Sequence, residues 1–379
     1  MKKNITVLFF CFLFIFPACG KCSASSERAI FVTVLQDPQV LSSRKEIIQL
    51  VDFAKKTRTT TLFIQIYRAN RAWFPSRVAD SSPYQTCLRS VSEDPFALLI
   101  EEAHKRGIKV HAWINLLSLS TNRDAKILKK YGPEILTRNL KPKKKIEDYK
   151  IDKQYFLEPG DLRVRKELST IVDEILSSYP GLDGLQFDYI RYPDRNPAYG
   201  YTKMNMERFR KRSGVKVIKN NSVLWQNWKR AQVTELLGEL VKRARLRHPG
   251  IKVSTTGCAP YVRAYSEAFQ DWPSWIKTGL VDFVTVMTYS DKIPEFERQI
   301  EEAKKKAVFT DKINFTIGAY KLKKYQEKFA EELDFCEKSG GAACVILGYG
   351  DLALNPSLSK VLTDKRKFSK NFTQSQRGN

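Results

Sequence analysis

The chain has 379 residues, 42% of them hydrophobic and 12% aromatic, which excludes a disordered or low-complexity protein and leaves room for one large domain or two small ones. Its formal charge is +24, from 65 Lys and Arg against 41 Asp and Glu. That excess suits either an anionic polymer or surface nearby, or lysines spread over solvated helix faces. No nucleic-acid motif accompanies the charge, so nucleic acid is not expected as a partner.

Residues 1–24 read as an export signal. Lys2 and Lys3 open it, and the apolar run from Ile5 to Phe16 is too short to span a bilayer. Cleavage after Ala24 would give a soluble exported protein in the periplasm or outer envelope. Phe16-Pro17-Ala18-Cys19 loosely resembles a lipobox, which makes Cys19 a candidate for lipid attachment. The body of the chain then holds Cys87, Cys258, Cys336 and Cys344, whose spacing fits no zinc site. Export permits disulfides, and a Gly340-Gly341 turn lies between Cys336 and Cys344. Free buried thiols are nevertheless the expectation.

The domain itself is expected over residues 25–362, with a basic tail at 363–379. Its first strand is the apolar run Ala29 to Leu35. A helix follows from Arg44 to Lys56, with Ile47, Leu50, Val51 and Ala54 on one face. Thr60 to Tyr67 is a β-branched second strand, running into a polar and aromatic loop with Arg68, Asn70 and Trp73. Asp94-Pro95 predicts a capped helix start, and Gly107 its stop. Lys109 to Asn115 is the third strand. Residues 118–160 form a long connection containing Lys141-Pro142-Lys143-Lys144-Lys145 and Glu158; Asp161 predicts the cap of the next helix.

The fourth strand is the most informative stretch: Leu182-Asp183-Gly184-Leu185-Gln186-Phe187-Asp188-Tyr189-Ile190-Arg191-Tyr192-Pro193. Alternation puts Gln186 and Asp188 on one face and Leu185 and Phe187 on the other. A carboxylate at such a tip is costly unless it is paired or used. After a second insertion, Leu224 to His248 reads as a long helix. Strands follow at Lys252–Pro260, Val281–Ser290, Ile313–Tyr320 and Ala343–Tyr349, with helices between them. Eight strand-like runs alternating with helices predict an α/β fold, a (β/α)8 TIM barrel with elongated βα loops.

In such a barrel the loops after the strands build the site. They supply Arg68, Asn70, Trp73, Asn115, Asp188, Arg191, Tyr192, Asp271, Tyr289, Tyr349 and Asp351. Carboxylates among aromatics, amides and guanidinium groups suit carbohydrate. Sugar rings stack on aromatic faces, and glycosidic cleavage needs a proton donor and a second carboxylate. Asp188, Asp271 and Asp351 are the catalytic candidates. Arg68, Asn70, Trp73, Asn115, Glu158, Arg191, Tyr192, Tyr289 and Tyr349 are the substrate-binding ones. His104, His111 and His248 are scattered, so no metal or other cofactor is expected.

Phe187-Asp188-Tyr189-Ile190-Arg191-Tyr192-Pro193 after Leu182-Asp183-Gly184 resembles the signature of bacterial glycoside hydrolase-like family 10. Further pieces resemble that family in order: His111-Ala112-Trp113-Ile114-Asn115, Phe156-Leu157-Glu158-Pro159-Gly160, Trp228-Lys229-Arg230, and Asp271 with Trp275, Asp282 and Tyr289. The resemblance spans roughly residues 29–352. It implies a (β/α)8 barrel that hydrolyses glycans, with bacterial cell-wall polysaccharide such as peptidoglycan strands as substrate, beside an anionic envelope surface.

The fourth strand is also distantly similar to that of chitinase-type barrels. There Asp183 and Gly184 match, Gln186 replaces an acid, Asp188 matches, and Ile190 stands where the proton-donating Glu would be. Tyr189 replaces a second Asp common in the nearer family, and Glu158 replaces an Asp or Asn. The expected function is therefore an exported glycoside hydrolase using carboxylate acid/base catalysis. The alternative is a catalytically inactive glycan-binding barrel.

Overall fold

The computed structural model describes residues 27–194 and 196–364. The expected signal with Cys19, and the tail beyond residue 364, lie outside these. Eight parallel strands form the core: β1 (Glu27–Val32), β2 (Thr61–Arg68), β3 (Lys109–Asn115), β4 (Gly184–Asp188), β5 (Lys252–Cys258), β6 (Phe283–Met287), β7 (Ile313–Gly318) and β8 (Ala343–Leu347). Each pairs with the next, and β1 pairs with both β2 and β8, so the sheet closes on itself. This is the (β/α)8 barrel that the strand count predicts.

A helix follows every strand: α1 (Arg44–Lys56), α2 (Pro95–Lys105), α3 (Leu162–Ser178), α4 (Val223–Arg247), α5 (Trp272–Lys277), α6 (Ile293–Lys306), α7 (Gln326–Lys338) and α8 (Pro356–Thr363). Local chemistry fixes their starts. Asp94 accepts hydrogen bonds from the Phe96 and Ala97 N–H groups at the head of α2. Asp161 accepts from Arg163 N at the head of α3. Such caps contribute ~1 kcal/mol each. The apolar stripe of α1, Ile47, Leu50, Val51 and Ala54, is wholly buried against the barrel, worth ~1.5–3 kcal/mol for each of the larger side chains.

Strand alternation divides the core in two. Leu185 and Phe187 face outward into the continuous layer between sheet and helices. Inside the barrel Phe31, Phe63 and Trp113 stack, with Phe31 4.8 Å from each of the other two ring centres. His111 lies below them, edge-on to Phe63 at 5.2 Å, and burial pushes its imidazole down to about 4. It is therefore a neutral packing residue at pH 7. Gly184 makes room for it: a Cβ there would sit 2.3 Å from the His111 ring.

Three features depart from the sequence expectations. A helix at Ser82–Val91 fills a stretch to which the sequence reading assigns no element, and another at Lys203–Ser213 lies in the second insertion. The third is covalent. Cys336 on α7 and Cys344 on β8 form a disulfide, where free thiols are expected; the Gly340-Gly341 turn brings the two elements close enough to bridge. Cys87 and Cys258 are free and buried.

Candidate active site

Asp188 ends β4 at the C-terminal mouth of the barrel and is only 5% exposed. Four donors converge on its carboxylate. Oδ1 accepts from Thr256 Oγ1 at 2.6 Å and from the Tyr189 backbone N–H at 2.7 Å. Oδ2 accepts from Trp113 Nε1 at 3.1 Å and from Asn115 Nδ2 at 3.3 Å. The donors come from β3, β5 and the chain just after β4. Parallel register explains the assembly: Asn115 lies directly opposite Asp188 across the β3–β4 pair. Tyr189 adopts a left-handed conformation, φ +53°, which turns its N–H back onto Asp188. That conformation is uncommon for a bulky residue and costs on the order of 1 kcal/mol.

Behind Asn115 the polar chain continues inward. Gln65 Nε2 donates to Asn115 Oδ1 at 2.8 Å, and Thr33 Oγ1 donates to Gln65 Oε1 at 2.7 Å. A line of side chains therefore runs from Thr33, just after β1, across β2 and β3 to the Asp188 carboxylate. It fixes which way the Asn115 amide points.

Arg191 pairs with Asp194 at 3.0 Å rather than with Asp188, and its guanidinium lies over the Tyr189 ring at 4.4 Å. Asp194 also faces Arg263 at 3.7 Å. Tyr289, at the end of β6, packs edge-on to Tyr320 at 6.0 Å. Desolvation pushes the Tyr289 phenol well above its usual range, and the nearby Asp188 charge adds to that. Free Cys258, at the tip of β5, is buried in the same field: burial pushes its thiol up, the Arg191 charge opposes this and the Asp188 charge adds to it. Asp188, Asn115, Arg191 and Tyr289 are thus brought together at one mouth, with Arg68 electrostatically coupled to Tyr189.

The remaining candidates lie elsewhere. Asp271 accepts from Tyr261 Oη at 2.8 Å, and Asp351 pairs with Lys323 at 2.6 Å. Neither shares a partner with Asp188. Asn70 is buried and bonds Tyr67 Oη and the Ile127 N–H, which is a loop-holding role. Trp73 is half-buried and lines a cleft with Thr33, Gln39, Ser42 and Gln65. Tyr349 packs edge-on to Phe53 of α1 at 5.4 Å, in the helix layer. Glu158 and Tyr192 are fully buried and bonded to each other, with Gly160 N also donating to Glu158 at 3.2 Å. Burial pushes the Glu158 carboxyl up to about 7, against the hydrogen bonds from Tyr192, Thr137 and Gly160.

Sequence reasoning missed Gln65, Thr256 and Asp194, and did not assign Trp113 as a donor to Asp188. Gln65 carried a signal: it is the one polar side chain in the middle of Thr61–Tyr67. Thr256 carried none, because threonine suits any strand.

The sequence profile of the family described as "Glycosyl hydrolase-like 10" matches residues 27–330. The chain belongs to the glycosyl hydrolase-like 10 family. Among curated relatives it is 24% identical over 264 residues to glycosyl hydrolase DigH of Escherichia coli strain K12, covering 65% of this chain and 58% of that protein. It is 23% identical over 273 residues to glycosyl hydrolase YngK of Bacillus subtilis strain 168, covering 66% of this chain and 50% of that one. The chain thus spans a little over half the length of these relatives. Similar solved structures include a GH42 β-galactosidase from G. stearothermophilus, with a TM-score of 0.60 at 10% identity, covering 92% of this chain and 58% of the other. The catalytic domain of β-amylase from Paenibacillus polymyxa gives 0.55 at 12% identity, covering 90% and 99%. At such identities these likenesses speak for the barrel alone.

Proposed function

We propose that this member of the glycosyl hydrolase-like 10 family is an exported glycoside hydrolase that cleaves a cell-wall or other envelope polysaccharide. Peptide-free peptidoglycan strands are the leading substrate. The observation that carries the reading is Asp188: a buried carboxylate at a barrel mouth, oriented by three side chains from two neighbouring strands and by the Tyr189 backbone N–H. Structural ion pairs do not need such an arrangement, whereas a carboxylate that must meet substrate in one orientation does.

Every contact Asp188 makes is as an acceptor, which suits it to take a proton or hydrogen bond from the substrate. Arg191 and Tyr289 flank it and would hold hydroxyl or amide groups of the sugar. An N-acetyl group on the substrate would serve as internal nucleophile, oriented by Asp188 and Tyr289. The second carboxylate, Asp271 or Asp351, would give the leaving glycosidic oxygen its proton. The disulfide Cys336–Cys344 supports export, since such bonds persist in oxidising compartments.

The test is product analysis by mass after incubation with peptide-free peptidoglycan strands, chitin oligomers and neutral β-glucans. Cleavage of one of them, reduced at least ~100-fold in Asp188→Asn, would support the enzyme. A second reading is a glycan-binding barrel without turnover. It is favoured by Ile190, wholly buried where a chitinase-type acid would stand. Tight binding with no product from any glycan would decide for it.

A further inference from the structure

We infer that the rim segment 138–145 is an anion-binding surface that reads carboxylates carried by the glycan strand lying across the barrel mouth. The inference rests on the proposed glycan-cleaving function and adds a charge requirement to its substrate. The segment Arg138-Asn139-Leu140-Lys141-Pro142-Lys143-Lys144-Lys145 carries five cationic side chains and no acid. It belongs to the connection after β3, so it stands at the end of the barrel where Asp188 lies.

Its position beside the mouth is fixed by backbone bonds. Thr137 N donates to Phe156 O at 2.9 Å, and the Phe156 ring lies 6.3 Å from that of Tyr189, the residue after Asp188. Tyr201 N donates to Arg138 O at 3.0 Å, tying the segment to the connection after β4. Asp148 Oδ2 then accepts from the Lys144 and Lys145 backbone N–H groups at 2.8 and 3.1 Å. The local carboxylate is therefore engaged in shaping the turn.

One carboxylate, Asp148, acts on Lys143 and Lys145, and the five cations outnumber it. Lys141, Lys144 and Lys145 are exposed. Among the described residues none of the five cations forms an ion pair. Arg138 Nε is buried with no partner. Burial holds the Lys143 ammonium below its usual range; the Asp148 charge opposes this, and the charges of Arg138 and Lys141 add to it. Like charges held together in this way repel, and an incoming anion relieves the repulsion. A lipid surface docked on this rim would cover the mouth, so the anion compatible with cleavage is on the substrate strand. A ribbon of carboxylates repeating along a glycan fits the run of lysines.

The experiment measures binding by the Asp188→Asn protein, so that no strand is consumed, with and without the triple change Lys141→Gln, Lys144→Gln and Lys145→Gln. The ligands are peptide-free peptidoglycan strands, the same strands after chemical reduction of their carboxylates to alcohols, and chitin oligomers of matched length. Carboxylate reduction and the triple change are each expected to weaken binding ~tenfold or more. Applied together they should cost no more than either alone, and chitin binding should not move. Circular dichroism of the triple variant checks the fold. Equal affinity of the triple variant for native strands, or a loss that appears equally on reduced strands, would overturn the inference while leaving the proposed function standing. Failure of the parent protein to bind any of the three glycans would remove both.

Discussion

Asn115 and Asp188 face each other in register across β3 and β4, and the Asn115 amide reaches Asp188 Oδ2 at 3.3 Å while Gln65 holds its other end at 2.8 Å. Gln65 therefore positions the carboxylate without touching it. Gln65→Leu would leave the buried Asn115 Oδ1 without its donor and free the amide to turn. The expected result is a ~10-fold fall in kcat with KM little changed, and a stability loss of ~1–3 kcal/mol. Gln65→Glu, which keeps the shape but not the donor, should fail to restore kcat; steady-state kinetics on whichever glycan is cleaved decides this.

The left-handed Tyr189 carries a second expectation. Tyr189→Gly would relieve the backbone strain, ~1 kcal/mol, and remove a ring that Arg191 covers, a contact of comparable size. Thermal stability should therefore change little, by ~1 kcal/mol or less. Activity should fall ~10-fold, because Arg191 loses the surface that fixes its plane. Arg191→Lys should show the same activity loss with the charge retained. A melting scan beside kinetics separates the two effects, and full activity in Tyr189→Gly would show that the stack has no part in the site.

A third expectation concerns pH. Glu332 on α7 is wholly buried, and both of its oxygens lack partners. Burial pushes its carboxyl up to about 8, with Asp291 nearby adding to the shift. The folded state thus holds a proton that the unfolded chain releases near pH 4.5. The stability tied to that proton is fully present below pH 4.5 and is lost as pH rises through about 8. Glu158, at about 7, acts in the same direction, but Lys229 is pushed down to about 7 by burial beside it and acts in the opposite one. Glu332 is therefore the clean test. Glu332→Gln should flatten the fall in stability between pH 4.5 and about 8 and stabilise the protein at pH 9 by ~1–3 kcal/mol. Denaturant unfolding at several pH values reads this directly; an unchanged slope would show that the carboxyl is hydrated and titrates normally.

The barrel was legible because its signals are local. Buried parallel strands give runs such as Thr61–Tyr67 and Ile313–Gly318, and helix starts carry Asp94-Pro95 and Asp161. Helix Ser82–Val91 was also there to be read, in Tyr84, Cys87 and Val91 at helical spacing, though the proline and serines at its start mimic a turn. At the site, Asp188 stood out because a carboxylate at a strand tip breaks the apolar pattern. Asn115 stood out as a strand-tip amide, and Thr256 and Trp113 did not. All three reach Asp188 through the register of neighbouring strands, which no single stretch of sequence encodes. Glu158 and Tyr192 look like site residues for the same reason that Asp188 does, yet the structure spends them on each other in the interior. Tyr349 is turned into the helix layer, because the short helix after β8 lays its ring on Phe53.

The disulfide is the part that spacing left open, and it yields the last expectation. Cys336 and Cys344 are 8 residues apart and join α7 to β8 across the Gly340-Gly341 turn. Closing so short a loop removes little freedom from the unfolded chain, and the chain-entropy estimate is ~2–3 kcal/mol. Reduction, or the double change Cys336→Ser and Cys344→Ser, should therefore lower the melting temperature by only a few degrees and leave the barrel folded. The mouth residues should be undisturbed, since neither cysteine touches the Asp188 network, so activity at 25 °C should persist. Thiol titration of the denatured protein, before and after reduction, should rise by two for this pair. No rise would mean that both cysteines are free in the protein as purified, and would withdraw the support that this bond lends to export.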